Sequence, residues 1–227
     1  MPDPTTRRPA VGTMRPMHSL SANEAFSGSR VTGLVLAGGL GRRMGGEDKG
    51  LVEIAGRPMV EFVLEALRPQ VGSVMINANR NLDRYAAYGH RVVPDELSGF
   101  LGPLAGVASA LPYLTADLLL TVPCDAPLLS AHLARRLFDA CAAAGADVAV
   151  AHDGQRLQPV FMLLRASAGP SLRAYLEGGG RKVDRWFAQV RLAQADFSDE
   201  PDCFANVNEP DERQRLEASL VSQRAVR

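Results

Sequence analysis

Residues 36–49 bring together the residue types that could bind a polyanionic ligand. This glycine-rich stretch reads LAGGLGRRMGGEDK, with five glycines, two arginines and one lysine directly after an apolar run. Glycine lets a backbone pass close to a ligand, and exposed backbone N–H groups beside basic side chains form a concavity for anionic oxygens. The stretch therefore predicts a triphosphate site, and a plain solvated turn is the alternative.

Two common phosphate-binding motifs do not match the glycine-rich stretch. A Walker loop requires Ser or Thr directly after its lysine, whereas Gly50 follows Lys49. The dinucleotide fingerprint requires a third glycine, and Met44 stands in that position behind Gly39 and Gly41. The sequence therefore supports neither of these two classes.

The glycine-rich stretch resembles the signature Leu-Ala-Gly-Gly-x-x-x-Arg-Met-Gly…Lys of nucleotidyltransferases that activate a small molecule with a nucleoside triphosphate. The full string is most similar to that of the molybdenum cofactor guanylyltransferases, and the resemblance runs from about Val31 to Leu220. It implies a single Rossmann-like α/β nucleotidyltransferase domain. It also implies transfer of GMP from GTP to molybdopterin bearing molybdenum or tungsten, with release of pyrophosphate.

Asp125 follows the apolar run 118–122 in the sequence Pro-Cys-Asp-Ala-Pro. A carboxylate that faces a triphosphate suits Mg²⁺, which takes one or two protein carboxylates together with phosphate oxygens. A cap for a helix over 130–144 is the alternative, although Ser130 is the more natural cap. In the resemblance this aspartate is the magnesium ligand, which predicts Mg²⁺ as the cofactor.

Asn77 and Asp95 each follow a short apolar run. The amide of Asn77 can both donate and accept hydrogen bonds at a base or ribose edge, and the carboxylate of Asp95 could accept two donors from guanine. Both residue types are also common in turns, which is the alternative. The resemblance assigns both residues to the nucleotide.

The resemblance implies roles for a larger set of residues around the triphosphate. Lys49 and Arg43 hold the leaving pyrophosphate and, with Asp125, form the catalytic group. No general base is required, because the attacking phosphate is already ionised. The nucleotide-binding residues that it implies are Leu36, Ala37, Gly38, Gly39, Lys49, Asn77, Asp95 and Asp125.

The acceptor site is indicated by residues near the carboxyl end. Asn206 and Asn208 match the family pattern and are expected to face the pterin. Arg181 and Lys182 follow three glycines and could bind the acceptor's phosphate, with a solvated basic turn as the equal alternative. Gln158 stands where many relatives carry a histidine before the proline, so its role is left open.

Related activities are the alternatives to guanylyl transfer. Cytidylyl relatives commonly read Leu-Ala-Ala-Gly, whereas this chain has Gly38 in the third position, which favours GTP. A sugar-phosphate nucleotidyltransferase of the same fold is a further alternative. A non-catalytic nucleotide-binding subunit is expected to lose Lys49 or Asp125, and both are present.

The composition argues against a nucleic-acid-binding protein and against a membrane protein. The 227 residues are 46% apolar and 22% charged, with 25 acidic and 25 basic side chains, so no net charge recruits nucleic acid. No apolar run approaches the roughly 20 residues of a membrane helix. The three cysteines fit a reducing compartment, which predicts the cytoplasm. The expected partners are GTP and molybdopterin, and molybdoenzyme maturation proteins are possible partners.

Short β-rich runs alternate with helical runs from Val31 onward, which predicts βαβ units and a mostly parallel sheet flanked by helices. The predicted strands are Val31–Leu36, Ser73–Asn77, Arg91–Val93, 117–122, 147–151 and 160–164. The predicted helices are 58–67, 81–87, 102–114, 130–144 and 166–177, with a last one beginning near Asn208.

The predicted sheet explains how the candidate site residues come together. Ligands of open α/β sheets lie beyond the carboxyl ends of the strands, where the glycine-rich stretch, Asn77, Asp95 and Asp125 all fall. Residues 1–30 contain four prolines and no apolar period, so we predict a disordered leader there and one domain over 31–227.

Overall fold

The structure is a computed structural model, and it describes residues 25–39, 47–96 and 102–206. Within these ranges the strands are β1 (Val31–Leu36), β2 (Glu53–Ile54), β3 (Arg57–Pro58), β4 (Ser73–Asn77), β5 (Arg91–Val93), β6 (Leu118–Pro123), β7 (Val148–His152), β8 (Leu157–Arg165) and β9 (Leu192–Asp196). The helices are α1 (Met59–Leu67), α2 (Leu82–Ala86), α3 (Pro103–Ala110), α4 (Leu133–Ala143), α5 (Gly169–Glu177) and α6 (Val183–Phe187). None of the described helices has the length and apolarity needed to cross a membrane.

Seven strands form one sheet in the order β5-β4-β1-β6-β8-β7-β9. The pairs β5/β4, β4/β1, β1/β6 and β7/β9 are parallel, whereas β8 is antiparallel to both of its neighbours. The short strands β2 and β3 pair separately. The predicted α/β class with a mostly parallel sheet is confirmed.

Helices cover both faces of the sheet, which explains why β6 consists of buried residues along its whole length. One core layer contains Leu64 of α1 and Phe138 of α4. The layer on the other face contains Val107 of α3, Leu172 of α5 and Trp186 of α6. These two layers hold the strands rigidly enough to fix the positions of the loops at their ends.

The register of the strands aligns four loops at one edge of the sheet. Leu36, the last residue of β1, lies opposite Asn77 of β4 and opposite Pro123 of β6. Asn77 in turn lies opposite Val93 of β5. Parallel strands that end in register send their following loops to the same place, so the segments after β1, β4, β5 and β6 meet at the carboxyl edge.

The last six residues of the predicted leader, 25–30, lie within the described residues. The Phe26 ring packs edge-on against Phe138 of α4, with ring centroids 5.5 Å apart. Arg30 forms an ion pair with Asp117 at 3.1 Å. The domain boundary at residue 30 stays a proposal, and these contacts define what a truncation at that boundary would remove.

Several observed elements differ in extent from the predicted ones. Helix α4 begins at Leu133 rather than at 130, because Ser130 Oγ donates to Glu200 Oε2 at 2.7 Å and accepts from His132 N at 3.1 Å. Helix α3 ends at Ala110, before a 3₁₀ turn that contains a proline. The sequence analysis did not predict β2, β3, α6 or β9, and the last predicted helix lies outside the described residues.

Candidate active site

An open cavity of about 340 Å³ lies at the carboxyl edge of the parallel strands. Its lining combines the ends of β1, β4 and β6, the loops after β1 and β5, the start of α3 and one residue of β8: Leu36, Gly38, Gly39, Asn77, Asp95, Gly102, Pro103, Pro123 and Val160. Five of these were predicted from the sequence to bind the nucleotide. A sixth predicted residue, Ala37, is buried and donates its backbone N–H to Asn77 O at 2.8 Å.

The glycines after β1 let the backbone run close to two amide side chains. A Cβ on Gly38 would lie 2.8 Å from Asn79 Nδ2 and 2.9 Å from Asn77 Oδ1, closer than real Cβ contacts allow. A Cβ on Gly39 would meet nothing within 4 Å. Gly38 is therefore required for a close approach, while Gly39 borders open space.

Asn77 is 3% exposed, and its amide is engaged within the protein. Nδ2 donates to Val93 O at 3.0 Å and to Asp95 Oδ1 at 2.8 Å, which uses both of its N–H groups. A Cβ on Gly106 of α3 would overlap Asn77 Oδ1. Asn77 thus ties β4 to the loop after β5, and its Oδ1 packs against Gly38 and Gly106.

Asp95 accepts one side-chain amide on each carboxylate oxygen. Asn77 Nδ2 donates to Oδ1, and Asn79 Nδ2 donates to Oδ2 at 2.9 Å. The backbone N–H of Asp95 donates to Asn79 Oδ1 at 2.8 Å. Because each carboxylate oxygen has two lone pairs, these contacts within the described part of the chain leave one further acceptor direction on each oxygen.

Asn79 contacts this site, although the sequence analysis did not name it as a candidate. It also donates to Gly38 O at 3.2 Å, so its single amide reaches two other loops. The sequence held one signal for it, since residues 77 and 79 are two apart and an extended chain places such residues on the same side.

Lys49 and Asp125 meet at the turn after β6, and neither is among the described residues that line the cavity. Lys49 Nζ lies 3.1 Å from Asp125 Oδ2, and Asp125 is 7% exposed. Cys124 N donates to Leu36 O at 3.1 Å, which extends the pairing of β1 with β6 and places the Asp125 turn next to Leu36, a lining residue of the cavity. The pair combines a cation suited to phosphate oxygens with a carboxylate suited to a metal ion.

Asp48, the residue before Lys49, is anchored by its buried carboxylate. Tyr85 OH donates to Asp48 Oδ1 at 2.6 Å, and Asn81 Nδ2 donates to Oδ2 at 2.9 Å. Arg80 Nε lies 3.6 Å from the same Oδ2. Burial, together with the nearby Cys124 and Asp48, raises the pKa of Tyr85 far above its ordinary value, so its hydroxyl stays a donor. The sequence analysis missed this anchor.

The donor set at Asp125 matches Mg²⁺ rather than a metal held by protein ligands alone. No group of three His, Cys, Asp or Glu side chains that could enclose a metal ion occurs within residues 25–39, 47–96 and 102–206. Mg²⁺ commonly takes one carboxylate and completes its shell with waters and substrate phosphates. The single carboxylate of Asp125, next to the Lys49 cation, fits this pattern.

Arg181 and Lys182 line a second cavity of about 730 Å³, at the turn after α5. Arg181 Nη1 donates to Leu176 O at 2.8 Å, and both side chains are exposed. Arg173 in the middle of α5 lies 3.7 Å from Glu96, the residue after Asp95. Helix α5 thus borders the loop that carries Asp95, although the linings given for the two cavities share no described residue.

The remaining predicted residues have different outcomes. Asn206 is exposed and follows Phe204, whose ring packs at 4.8 Å from that of Phe161 in β8. Gln158 Nε2 donates to Asp153 Oδ2 at 2.6 Å. Arg43 and Asn208 lie outside the described residues.

Comparison with known proteins places the chain among nucleotidyltransferases. A family model described as a MobA-like NTP transferase domain matches residues 33–194. The chain is 52% identical over 191 residues to a molybdenum cofactor guanylyltransferase of Shewanella sp. (strain MR-4), covering 84% of this chain and 97% of that protein.

Solved structures of low sequence identity share the fold. Molybdopterin-guanine dinucleotide biosynthesis protein A from Archaeoglobus fulgidus superposes with a TM-score of 0.71 at 23% identity, covering 84% of this chain and 99% of that one. A nucleotidyl transferase from Methanothermobacter gives a TM-score of 0.67 at 20% identity over 86% of this chain and 100% of that one. Both agree with the sheet described above.

Proposed function

The chain belongs to the molybdenum cofactor guanylyltransferases, and on that premise we propose that GTP binds in the cavity at the carboxyl edge beside the Lys49–Asp125 pair. The enzyme transfers GMP from GTP to molybdopterin in the synthesis of the guanine dinucleotide cofactor. The sequence predictions of family, fold and nucleotidyltransferase activity are confirmed, and the assignments of individual residues below are proposals.

One observation carries the placement of GTP. Asp95 lines the cavity, and the described side-chain amides leave one acceptor direction on each oxygen of its carboxylate. Guanine presents two donors, N1–H and the 2-amino group, on one edge, and this pair matches two adjacent acceptors. Adenine and cytosine lack that pair, so binding them would leave an acceptor of Asp95 unpaired in a half-enclosed site.

The reaction itself requires little covalent help from the protein. An oxygen of the molybdopterin phosphate attacks the α-phosphorus of GTP, and the bond from that phosphorus to the bridging oxygen breaks as pyrophosphate leaves. Positioning two polyanions and stabilising the charge on the leaving group provide most of the catalysis. We assign the leaving pyrophosphate to Lys49, to Arg43 and to the backbone N–H groups of Gly38 and Gly39.

Asp125 is the proposed ligand of Mg²⁺ through its carboxylate, with Oδ2 also held by Lys49. A bound Mg²⁺ supplies positive charge that neutralises the phosphate oxygens during transfer. Asp125 lies in the turn after β6 and pairs with Lys49, so its carboxylate is held before GTP arrives. This arrangement avoids reorganisation during the reaction.

The acceptor site is proposed at the side of the cavity nearest α5. Arg181 and Lys182 supply exposed positive charge at the turn after this helix, and Asn206 and Asn208 extend the site toward the pterin. The contact of Arg173 with Glu96 supports this placement, because it brings α5 next to the loop of Asp95.

We also propose that the enzyme works in the cytoplasm and hands its product to molybdoenzyme maturation proteins. The three cysteines are buried free thiols, as expected in a reducing compartment.

Isothermal titration calorimetry with GTP, ATP and CTP in the presence of Mg²⁺ tests the placement of GTP. We expect GTP to bind at least about tenfold more tightly than the other two, since a site built to hydrogen-bond a group rejects analogues that lack it. Equal affinities for the three nucleotides would contradict the role of Asp95.

A further inference from the structure

We propose that Asn79 is a positioning residue that orients Asp95 for guanine selection, an inference that rests on the proposed role of Asp95 as the reader of the base. Asn79 makes three hydrogen bonds at the cavity. It donates to Asp95 Oδ2 at 2.9 Å and to Gly38 O at 3.2 Å, and it accepts from Asp95 N at 2.8 Å.

The geometry around Asp95 explains why this amide matters. The terminal torsion of an aspartate is broad, so a carboxylate bound at one oxygen alone could still swing. Asn77 holds Oδ1, and Asn79 holds Oδ2 and the backbone N–H of the same residue. The plane of the carboxylate, and with it the two remaining acceptor directions, is therefore fixed from both sides.

The same amide joins base recognition to phosphate binding. Gly38 belongs to the loop after β1, whereas Asp95 belongs to the loop after β5, and both are bound by Asn79 Nδ2. The residue after Asp95 is also held, since Glu96 N donates to Ser109 Oγ at 2.8 Å. Asn79 thus sets the spacing between the groups proposed to read guanine and those proposed to hold the triphosphate.

The variant Asn79→Asp tests this role with little change in side-chain shape. It keeps an acceptor for Asp95 N, removes the two donated hydrogen bonds and places a second carboxylate against that of Asp95. Two like charges at this distance repel, so the carboxylate of Asp95 turns away from its orientation. Asn79→Ala, which removes all three hydrogen bonds without adding charge, serves as the second variant.

The decisive measurement is the ratio of the dissociation constants of ITP and GTP, determined by calorimetry with Mg²⁺. Inosine differs from guanosine by the absence of the 2-amino group, so this ratio reports on the acceptors of Asp95 and not on the triphosphate. We expect the wild-type enzyme to prefer GTP, and we expect Asn79→Asp and Asn79→Ala each to lower that preference by about tenfold.

Ser73→Ala is the matched control. Ser73 Oγ lies 3.1 Å from Thr32 Oγ1, a hydrogen bond that joins the same strands, β1 and β4, at the opposite edge of the sheet. This variant is expected to change the melting temperature without changing the ITP-to-GTP ratio.

The outcomes separate this proposal from the proposed function. A wild-type preference for GTP over ITP that survives in folded Asn79 variants would overturn the positioning role alone. Wild-type enzyme that binds ITP and GTP equally would overturn both this role and the reading of guanine by Asp95. A ratio that falls equally in Ser73→Ala would show a general loss of rigidity and would also overturn the proposal.

Discussion

Lys49 Nζ lies 3.1 Å from Asp125 Oδ2, although 76 positions of sequence separate the two residues. Their opposite charges hold each other in place at the end of β1 and β6, before any ligand is present. A triphosphate would add an anionic partner for the cation, and Mg²⁺ would add a cationic one for the carboxylate. Because the two residues are assigned different tasks, we expect substitution of each one to impair a different step.

We expect Asp125→Asn to stop transfer while sparing the binding of GTP without metal. The amide keeps the shape of the side chain but removes the charge that binds Mg²⁺. Pyrophosphate release with molybdopterin as acceptor should fall by about a hundredfold or more, the scale of a lost electrostatic contribution to a transition state. Calorimetry with and without Mg²⁺ measures the GTP dissociation constant of the variant. Transfer at the normal rate would show that Asp125 is not the metal ligand.

We expect Lys49→Ala to weaken GTP binding as well as turnover. The lysine is proposed to contact the triphosphate both before and during transfer, and its loss leaves the Asp125 carboxylate facing phosphate without its cation. Arg135→Ala is the control, since this exposed side chain pairs with Asp139 on α4. A Lys49→Ala enzyme with an unchanged GTP dissociation constant would contradict the assignment.

We expect Gly38→Ala to weaken GTP binding by about tenfold with a smaller effect on the melting temperature. The added Cβ would press on Asn79 Nδ2 and Asn77 Oδ1 and so displace the amides that hold Asp95. Gly39→Ala is the matched comparison and should cost less, because its Cβ meets nothing within 4 Å. Equal losses in the two variants would refute the steric explanation.

We expect the amino-terminal segment to contribute stability through Phe26. Removal of residues 1–24 should leave the melting temperature unchanged, whereas removal of 1–30 or Phe26→Ala should lower it by several degrees. The Phe26 ring packs against Phe138, and burial of part of an aromatic side chain contributes about 1 kcal/mol or more, enough for such a shift. Melting temperatures of the three proteins, measured by circular dichroism, test this expectation.

We expect the three cysteines to resist thiol reagents in the native protein. Burial raises the pKa of Cys124 and Cys141, and it raises that of Cys203 to about 11. An ordinary cysteine thiol has a pKa of about 8.5. At pH 8 we therefore expect labelling of the three thiols to be at least about tenfold slower in native than in urea-unfolded protein.

The same shifts give a pH dependence of stability. The folded protein keeps the three thiols protonated where the unfolded chain begins to ionise them, above a pH of about 8.5. The free energy of unfolding should therefore fall as the pH rises from there toward the raised folded values. Cys203→Ser should reduce this slope, and an unchanged slope would show that other groups cause it.

The candidate site residues at the ends of strands could be predicted from the sequence, because each one follows its own apolar run. Asp125 and the glycine-rich stretch needed no knowledge of distant residues. Asn79 and Asp48 were not predictable in this way, since their partners lie 16 to 41 positions away in the chain. Asn79 and Asp48 hold loops together through hydrogen bonds to residues that come close only in the folded protein.

The limits of the predicted elements have local causes. Strand β8 was predicted over 160–164, yet it begins at Leu157 and contains Pro159, a residue type that is disfavoured in strand interiors. An irregularity in its pairing with β7 at Val150 and Ala151 accommodates the proline. Strand β9 contains alanines and a glutamine with weak strand preference, and its pairing with β7 defines it.

The position of Leu36 opposite both Asn77 and Pro123 has a consequence for folding. Three segments distant in sequence must pair in register before the cavity exists, so a partly folded chain offers GTP nothing to bind. Nucleotide capture is then linked to completion of the sheet. At a free GTP concentration of about 100 times the dissociation constant, this linkage adds about 2.7 kcal/mol to the free energy of unfolding, and the substrate itself becomes a stabiliser of newly made enzyme.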